Sequence, residues 1–266
     1  MLRVGVFGAA GRMGTATCAA VLAEADLELV VAVDPVAAGR PLDEVAGVRG
    51  SGLTVAASPD EAAGAEVMVD FTVAKAARDN LRWCADHGVH AVCGTTGFDA
   101  ADIESLRSWF SGDAHAIVAP NFSIGAALMM RCAELCAPFV AGAEIIELHH
   151  ERKRDAPSGT SLETARRMQA ARDAAGTGDW AADPTETEIV AGTRGGRAQG
   201  GLHVHSVRLP GFVAHQEVIF GLKGETLSVR HDSLDRASFM PGVLLAVRGV
   251  AESEGLTVGL GSLLGL

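Results

Sequence analysis

The chain has 266 residues, 48% of them hydrophobic and 21% charged, which is typical of a globular protein with a sizeable core in one or two domains. Its formal net charge of −11 argues against nucleic acid or an anionic membrane as a partner, because both would repel it. No stretch approaches the ~18 apolar residues of a membrane span. The first residues predict a strand, so we expect no secretory leader.

The five cysteines are an odd number and include no Cys-x-x-Cys pair. This usage is typical of reduced thiols inside the cell rather than of a disulfide framework or a zinc site. We therefore expect a cytoplasmic protein that binds no metal.

A glycine-rich turn follows the first predicted strand, over residues 2–7. The turn consists of Gly8, Ala9, Ala10, Gly11, Arg12, Met13 and Gly14. A predicted helix over residues 15–25 and a strand over 27–33 then lead to Asp34, twenty residues after Gly14. In dinucleotide-binding folds, such glycines allow the backbone to approach a pyrophosphate at the helix N-terminus, and the acid accepts hydrogen bonds from the adenosine ribose. A glycine triplet alone also occurs in ordinary turns, but strand, helix and acid together predict dinucleotide binding.

The residue after Asp34 is Pro35, where enzymes that bind a 2′-phosphate often carry a basic side chain. A lone carboxylate repels that phosphate. The pattern therefore favours NADH, or the use of both NADH and NADPH, although Arg12 or Arg40 could reach a 2′-phosphate.

Strands and helices continue to alternate up to residue 119, at the spacing of parallel β-α-β units. Strands are predicted over 53–57, 66–72, 89–93 and 114–119, and helices over 59–64, 74–87 and 99–110. Polar or glycine-rich residues end or directly follow three of these strands. They are Asp70 to Thr72, the group Gly94, Thr95 and Thr96, and the group Ala119, Pro120, Asn121 and Phe122. Ligands of doubly wound sheets lie beyond the carboxyl ends of the strands, so these turns are the predicted cofactor crevice.

The pattern changes after residue 123. A helix over 124–137, a strand over 143–148 and a helix over 161–168 are followed by an exposed, mobile connection over 170–188. Strands are then predicted over 188–191, 202–209, 214–221 and 225–231, with antiparallel pairing, and a helix over 236–252. The expected architecture is α/β: a Rossmann-like dinucleotide-binding domain (1–122 and 232–266) and an α+β domain for substrate binding and oligomerisation (123–231) with a mainly antiparallel sheet.

A dense polar cluster, Glu147-Leu-His-His-Glu-Arg-Lys-Arg-Asp-Ala-Pro-Ser-Gly-Thr160, lies between a predicted strand and helix of the second domain. Thr160 and Glu163 have the spacing of a capping box, and the main-chain N–H groups at a helix start attract carboxylate or phosphate. Lys153 adds a positive charge, and histidine carries protons near neutral pH. The cluster predicts a site that holds and protonates a small anion. Alternatively, one histidine is simply packed and the basic residues 152–154 are a solvated run.

Taken together, these motifs resemble those of the 4-hydroxy-tetrahydrodipicolinate (dihydrodipicolinate) reductases, and the resemblance covers nearly the whole chain. The family pattern Glu-x-His-His-x-x-Lys-x-Asp-x-Pro-Ser-Gly-Thr is met at every fixed position between Glu147 and Thr160. The glycine turn and the three strand-end turns resemble the cofactor motifs of that family, in the same order.

The resemblance implies reduction of a cyclic dicarboxylate imine by NADH or NADPH in lysine and diaminopimelate biosynthesis, by a cytoplasmic homotetramer. It implies that His149 and Lys153 transfer protons. It also implies that His150, Gly159 and Thr160 bind the substrate. Two alternatives remain: another Rossmann-fold imine or amino-acid dehydrogenase, and a nucleotide sensor that binds a cofactor without turning it over.

Overall fold

A computed structural model describes residues 1–61 and 64–266 of the protein. The chain divides into two compact units, one formed by residues 1–124 and 239–266 and the other by residues 125–238. None of the helices within the described residues combines the length and apolar character of a bilayer-spanning segment.

Most of the predicted strands and helices are present, in the predicted order. The strands are β1 (Leu2–Phe7), β2 (Leu27–Val33), β3 (Val67–Asp70), β4 (His90–Cys93), β5 (Ala116–Val118), β6 (Gly142–His149), β7 (Gly196–Arg197), β8 (His203–Arg208), β9 (Ala214–Leu222), β10 (Glu225–Ser233) and β11 (Leu256–Val258). The helices are α1 (Arg12–Leu22), α2 (Leu42–Ala46), α3 (Ala74–Asp86), α4 (Ala100–Trp109), α5 (Ile124–Cys136), α6 (Gly159–Ala175) and α7 (Met240–Gly249).

The first unit contains a six-stranded sheet in the order β11-β5-β4-β3-β1-β2, and all of its strand pairs are parallel. Apolar clusters cover both faces of this sheet. Because both faces are buried, the sequences of the strands are nearly continuous apolar runs. Helix α7 packs Val243, Ala246 and Val247 into one of these clusters, so the end of the chain belongs to this unit. The predicted Rossmann-like sheet is thereby confirmed, and β11 is an additional edge strand that the sequence pattern did not reveal.

Two predictions in this unit are wrong. Residues 53–57 do not form a strand of the sheet, because Val55 N–H donates to Arg40 while Ala56 N–H donates to Ala32, so no continuous ladder develops. The helix predicted over 59–64 is a short 3₁₀ turn at Pro59–Glu61, and residues 62 and 63 lie outside the described part of the chain.

The second unit contains a five-stranded sheet in the order β10-β9-β6-β8-β7. The pairing is mainly antiparallel, as predicted, but β8 runs parallel to β6, with Glu147 opposite Ser206. Residues 188–191 are not a strand, because the Glu188 carboxylate accepts hydrogen bonds from the main-chain N–H groups of Gly192 and Arg194 and closes a turn there. Helices α5 and α6 cover one face through Met129, Ala165 and Met168.

Helix α6 is longer than predicted, and its end is tied down by a buried arginine. Arg172 is 4% exposed and donates to the main-chain oxygens of Ala137 (2.8 Å), Val140 (2.7 Å) and, beyond the helix, residues 177–179. Its guanidinium also stacks on Trp180, 4.3 Å from the ring centroid. The predicted mobile connection over 170–188 is therefore wrong for its first half, since α6 continues to Ala175 and the turn that follows is hydrogen-bonded to Arg172.

Replacing Arg172 with Met keeps the length of the side chain but leaves several buried carbonyl groups without a donor. We expect a loss of about 2–4 kcal/mol in the free energy of unfolding, measured by urea denaturation. Arg166→Met is the matched control, because Arg166 lies on the same helix but is exposed and pairs with Glu163 at the surface. Equal stability of the two variants would contradict the structural role given to Arg172.

Candidate active site

The glycine turn after β1 has the shape that a dinucleotide pyrophosphate requires. Gly8 adopts a positive φ of 72°, and a Cβ on Gly14 would lie 2.0 Å from the carbonyl oxygen of Gly8, so α1 can approach the turn only without a side chain there. Gly11 is the N-cap of α1, so the helix begins three residues earlier than predicted. No side chain caps this helix, and no acidic residue lies in its first turn. The first main-chain N–H groups of α1 thus form a cradle of positive potential that fits a phosphate.

Asp34 directly follows β2. In addition to the predicted contact with a ribose, it has a structural role. It is buried, and its carboxylate accepts hydrogen bonds from the main-chain N–H groups of Ala10 (3.0 Å) and Val36 (3.0 Å). The acid therefore ties the glycine turn to β2. It also lines a cavity of about 410 Å³ together with Gly8, Gly11, Pro35 and residues 71–73.

A second buried acid, Asp70 at the end of β3, joins the next two predicted turns. It is 1% exposed, and its carboxylate accepts hydrogen bonds from Thr72 N–H (2.9 Å), Thr72 Oγ1 (2.8 Å), Thr95 Oγ1 (2.9 Å) and Asn80 Nδ2 (2.7 Å). Gly94 has no room for a side chain, because a Cβ would lie 2.0 Å from the ring of Phe71. Sequence reasoning assigned Thr95 to the cofactor, and it missed that the hydroxyl of Thr95 is used to hold the two turns together.

The remaining predicted cofactor residues lie at or near the same edge of the sheet but differ in exposure. Arg12, Thr96 and Pro120 are exposed, and Ala10, Met13 and Asn121 are half-buried. Ala9, Ala119 and Phe122 belong to the core, where Phe122 packs against Phe71 with ring centroids 5.9 Å apart. Ala9 and Ala119 have no side-chain polar atom, so both can offer a ligand only main-chain atoms.

In the second unit, the alternation of β6 places Glu147 and His149 on the face that α5 and α6 cover, and His150 follows directly after the strand. The Glu147 side chain is fully buried, and its carboxylate accepts a hydrogen bond from Nδ1 of His149. Arg208 donates to both carboxylate oxygens, at 2.8 and 2.7 Å. Burial by itself would raise the pKa of Glu147, but these hydrogen bonds outweigh it and lower the pKa to about 2.

Lys153 follows in the loop after β6. Its Nζ contacts both carboxylate oxygens of Asp155, at 2.9 and 2.8 Å, and this hydrogen bond lowers the pKa of Asp155. The main-chain oxygen of Asp155 accepts in turn from Nη2 of Arg208, at 2.8 Å. Arg208 is therefore linked to both residues, to His149 through Glu147 and to Lys153 through Asp155. These two residues lie four positions apart in the motif.

Helix α6 begins at Gly159, and its N-cap is Ser158, whose hydroxyl accepts from Ser161 N–H at 3.2 Å. The predicted capping box of Thr160 and Glu163 is wrong, because Glu163 instead pairs with Arg166 and Arg167. A buried chain of hydrogen bonds continues from Ser161 Oγ to Gln216 Oε1 (2.7 Å) and from Gln216 Nε2 to Thr164 Oγ1 (2.8 Å). These hydrogen bonds hold the start of α6 against β9. The space beside Gly159 is open, because nothing lies within 4 Å of a Cβ built on that residue.

Sequence reasoning missed Arg208 and Gln216. Their only sequence signal is indirect: a buried acid or hydroxyl in the motif needs a partner, and the sheet register supplies it by placing Arg208 opposite His149 and Gln216 opposite Glu147. Within residues 1–61 and 64–266, no group of three or more His, Cys, Asp or Glu side chains is arranged to hold a metal ion.

Comparison with known proteins identifies the family. Residues 2–122 match the family described as dihydrodipicolinate reductase, N-terminus, and residues 125–264 match dihydrodipicolinate reductase, C-terminus. The 4-hydroxy-tetrahydrodipicolinate reductase of Cutibacterium acnes is 51% identical, with both chains covered completely, and that of Nocardia farcinica is 49% identical, with 100% of this chain and 99% of its own covered.

Among solved structures, a dipicolinate-bound dihydrodipicolinate reductase from Paenisporosarcina sp. TG-14 superimposes with a TM-score of 0.84 at 35% identity, covering 98% of this chain and 99% of its own. An amine dehydrogenase from Mycobacterium smegmatis (TM-score 0.62, 16% identity, 96% and 94% covered) shares the fold alone. The resemblance drawn from the motifs is thus confirmed: the chain belongs to the dihydrodipicolinate reductase family of nicotinamide-dependent oxidoreductases.

Proposed function

We propose that this protein reduces 4-hydroxy-tetrahydrodipicolinate to tetrahydrodipicolinate, with loss of water, in lysine and diaminopimelate biosynthesis. The observation that carries the proposal is that one unit contains His149, Lys153 and the start of α6. His149 is linked to Arg208 through Glu147, and Lys153 is linked to it through Asp155. The names of the curated relatives and the dipicolinate bound to the solved relative support this substrate class.

The substrate carries two carboxylates, and the start of α6 suits one of them. Main-chain N–H groups of Gly159 and Thr160 lie in the first turn of a 17-residue helix, where the dipole favours an anion. His150 lies at the end of the adjoining strand region, and we assign it to substrate binding as well. Lys153 adds a local positive charge to the loop before this helix, in a chain whose net charge is negative.

Reduction of a conjugated imine also requires protons. When bound, the reduced nicotinamide supplies a hydride, and the ring of the substrate then takes up a proton from the protein. We assign this proton transfer to His149, which Glu147 orients, with Lys153 as the second donor. A positioned acid of this kind contributes typically ~100- to 10,000-fold to the rate.

The cofactor would be held by the turn of residues 8–13, by Asp34, by Gly94 to Thr96 and by Ala119 to Phe122. No lysine or arginine is among the described residues that line the cavity next to Asp34. A 2′-phosphate would meet a carboxylate there without a cation to neutralise it, which favours NADH or the use of both cofactors.

We further propose a cytoplasmic homotetramer. The sheet face of the second unit that lies away from α5 and α6 carries the partly exposed apolar residues Ile146, Leu148 and Ile219, which suit contact with another copy. Sedimentation equilibrium is expected to give a mass of four chains, and a stable monomer would contradict the assembly. The free cysteines are consistent with a reducing compartment, which fractionation of the source cells would test.

The activity is tested by following absorbance of the reduced nicotinamide while the preceding synthase makes the substrate from pyruvate and aspartate semialdehyde. Loss of absorbance is expected only when the synthase product is present, and the assay is run with NADH and with NADPH. Cofactor binding without turnover would support a nucleotide sensor, and turnover with a different imine or amino acid would support another dehydrogenase.

Lys153→Ala is expected to lower kcat by roughly 100-fold or more, because it removes a positioned proton donor, while the Kd of the cofactor stays unchanged. Lys223→Ala, at an exposed position of the β9–β10 turn, is the control and should behave like the wild type. Near-normal turnover of Lys153→Ala would show that another group supplies the proton.

Asp34→Ala tests the cofactor preference. Because Asp34 also holds the glycine turn, the substitution should raise KM for both cofactors, but more for NADH, whose ribose hydroxyls lose their acceptor. The ratio of the two KM values is therefore the readout. Asp43→Ala is the matched control, since Asp43 also accepts two main-chain N–H groups, from Gly50 (2.8 Å) and Ser51 (3.1 Å), outside the cavity. An unchanged ratio would exclude a contact of Asp34 with the ribose.

A further inference from the structure

The carboxylate of Glu147 is the least exposed charged group of the second unit. Its side chain is 0% exposed, on the central strand of the sheet, where an unpaired charge would be strongly destabilising. It is satisfied by the imidazole of His149 and by both terminal nitrogens of Arg208. These contacts keep Glu147 ionised, so it can only accept hydrogen bonds.

An acceptor next to Nδ1 determines which nitrogen of His149 carries the proton in the neutral ring. Nδ1 must be the N–H donor toward Glu147, which leaves Nε2 as the atom that gives and takes a proton. The opposite tautomer would place a lone pair against a buried carboxylate. The acid thus selects the reacting atom of His149 without touching a substrate.

Arg208 connects this selection to the second proton donor. Besides the bidentate contact with Glu147, its Nη2 donates to the main-chain oxygen of Asp155, whose carboxylate contacts Nζ of Lys153 on both oxygens. Nη1 donates to the carbonyl of Val207 at 2.7 Å, which holds the guanidinium against its own strand. One planar cation therefore sets the position of both groups, and lysine could not make these contacts together.

We propose that Glu147 and Arg208 are a positioning pair: Glu147 makes Nε2 the reacting nitrogen of His149, and Arg208 holds the loop that carries Lys153 at a fixed distance from that histidine. The inference rests on the proposed roles of His149 and Lys153. The two residues act through their neighbours, so the pair should govern kcat and leave cofactor affinity unchanged.

The first measurement is the nitrogen-15 spectrum of the histidine-labelled wild-type protein, with the His149 signals assigned by their loss in His149→Gln. Neutral His149 is expected as the Nδ1–H tautomer. The Nε2–H tautomer would overturn the proposal, whether or not the protein reduces 4-hydroxy-tetrahydrodipicolinate. Conversely, an Nδ1–H ring in a protein that does not turn over this substrate would reject the proposed function alone.

Two isosteric or near-isosteric variants separate the two members of the pair. Glu147→Gln offers an amide that can donate or accept, so both tautomers of His149 should appear and kcat should fall by about 100-fold. Arg208→Lys keeps the charge beside Glu147, so the tautomer should persist while kcat falls by roughly tenfold, because Asp155 loses its donor. Arg166→Lys is the control, since its partner Glu163 is accessible to solvent and a lysine can replace it there.

KM for the cofactor should be unchanged in both variants. Retention of a single tautomer and of full turnover in Glu147→Gln would overturn the role of Glu147, and full turnover in Arg208→Lys would overturn that of Arg208. If Glu147→Gln does not fold, the wild-type spectrum and Arg208→Lys still decide the proposal.

Discussion

A carboxylate that a fold buries must find donors for its oxygens, and this constraint organises both halves of the protein. Glu147 and Asp70 are almost completely inaccessible, and each is surrounded by donors from other segments of the chain. Because leaving either acid unpaired would be very unfavourable, the segments that supply the donors are held in place. In each unit those segments are the loops that carry the proposed functional groups.

The first unit shows how the constraint acts on a nucleotide-binding crevice. Parallel strands bring the turns after β1, β2, β3 and β4 to one edge, and Asp34 and Asp70 then tie neighbouring turns to each other. Glycines at positions 14 and 94 permit the close contacts that complete this edge, since a side chain at either would collide with backbone or ring atoms. The result is a preorganised surface, so little conformational entropy remains to be lost on binding.

The second unit applies the same principle to the segment that we propose transfers protons and binds an anion. Glu147 and Arg208 hold the histidine and the lysine loop, and Gln216 holds the start of α6. The polar residues of the motif are therefore of two kinds. Some are the residues proposed to meet a substrate, and others, such as Glu147, are buried and hold the first group in place. Preorganised groups of this kind need little rearrangement during a reaction.

Much of this could be predicted from the sequence, because it depends on neighbours along the chain. The order of most strands and helices, the glycine turn, the acid at the end of β2 and the strand-to-helix motif around His149 and Lys153 follow from local periodicity and spacing. By contrast, local patterns do not predict the N-cap of α6, the length of that helix or the parallel pairing of β8. Each depends on which of several possible hydrogen-bond or strand partners is near in the folded chain. Only the tertiary structure decided that Arg208 meets Glu147, 61 residues away along the chain, that Arg172 closes the end of α6, and that Asp70 joins two turns. The physical reason is that burial creates the demand for a partner, whereas sheet register determines which distant residue can supply it.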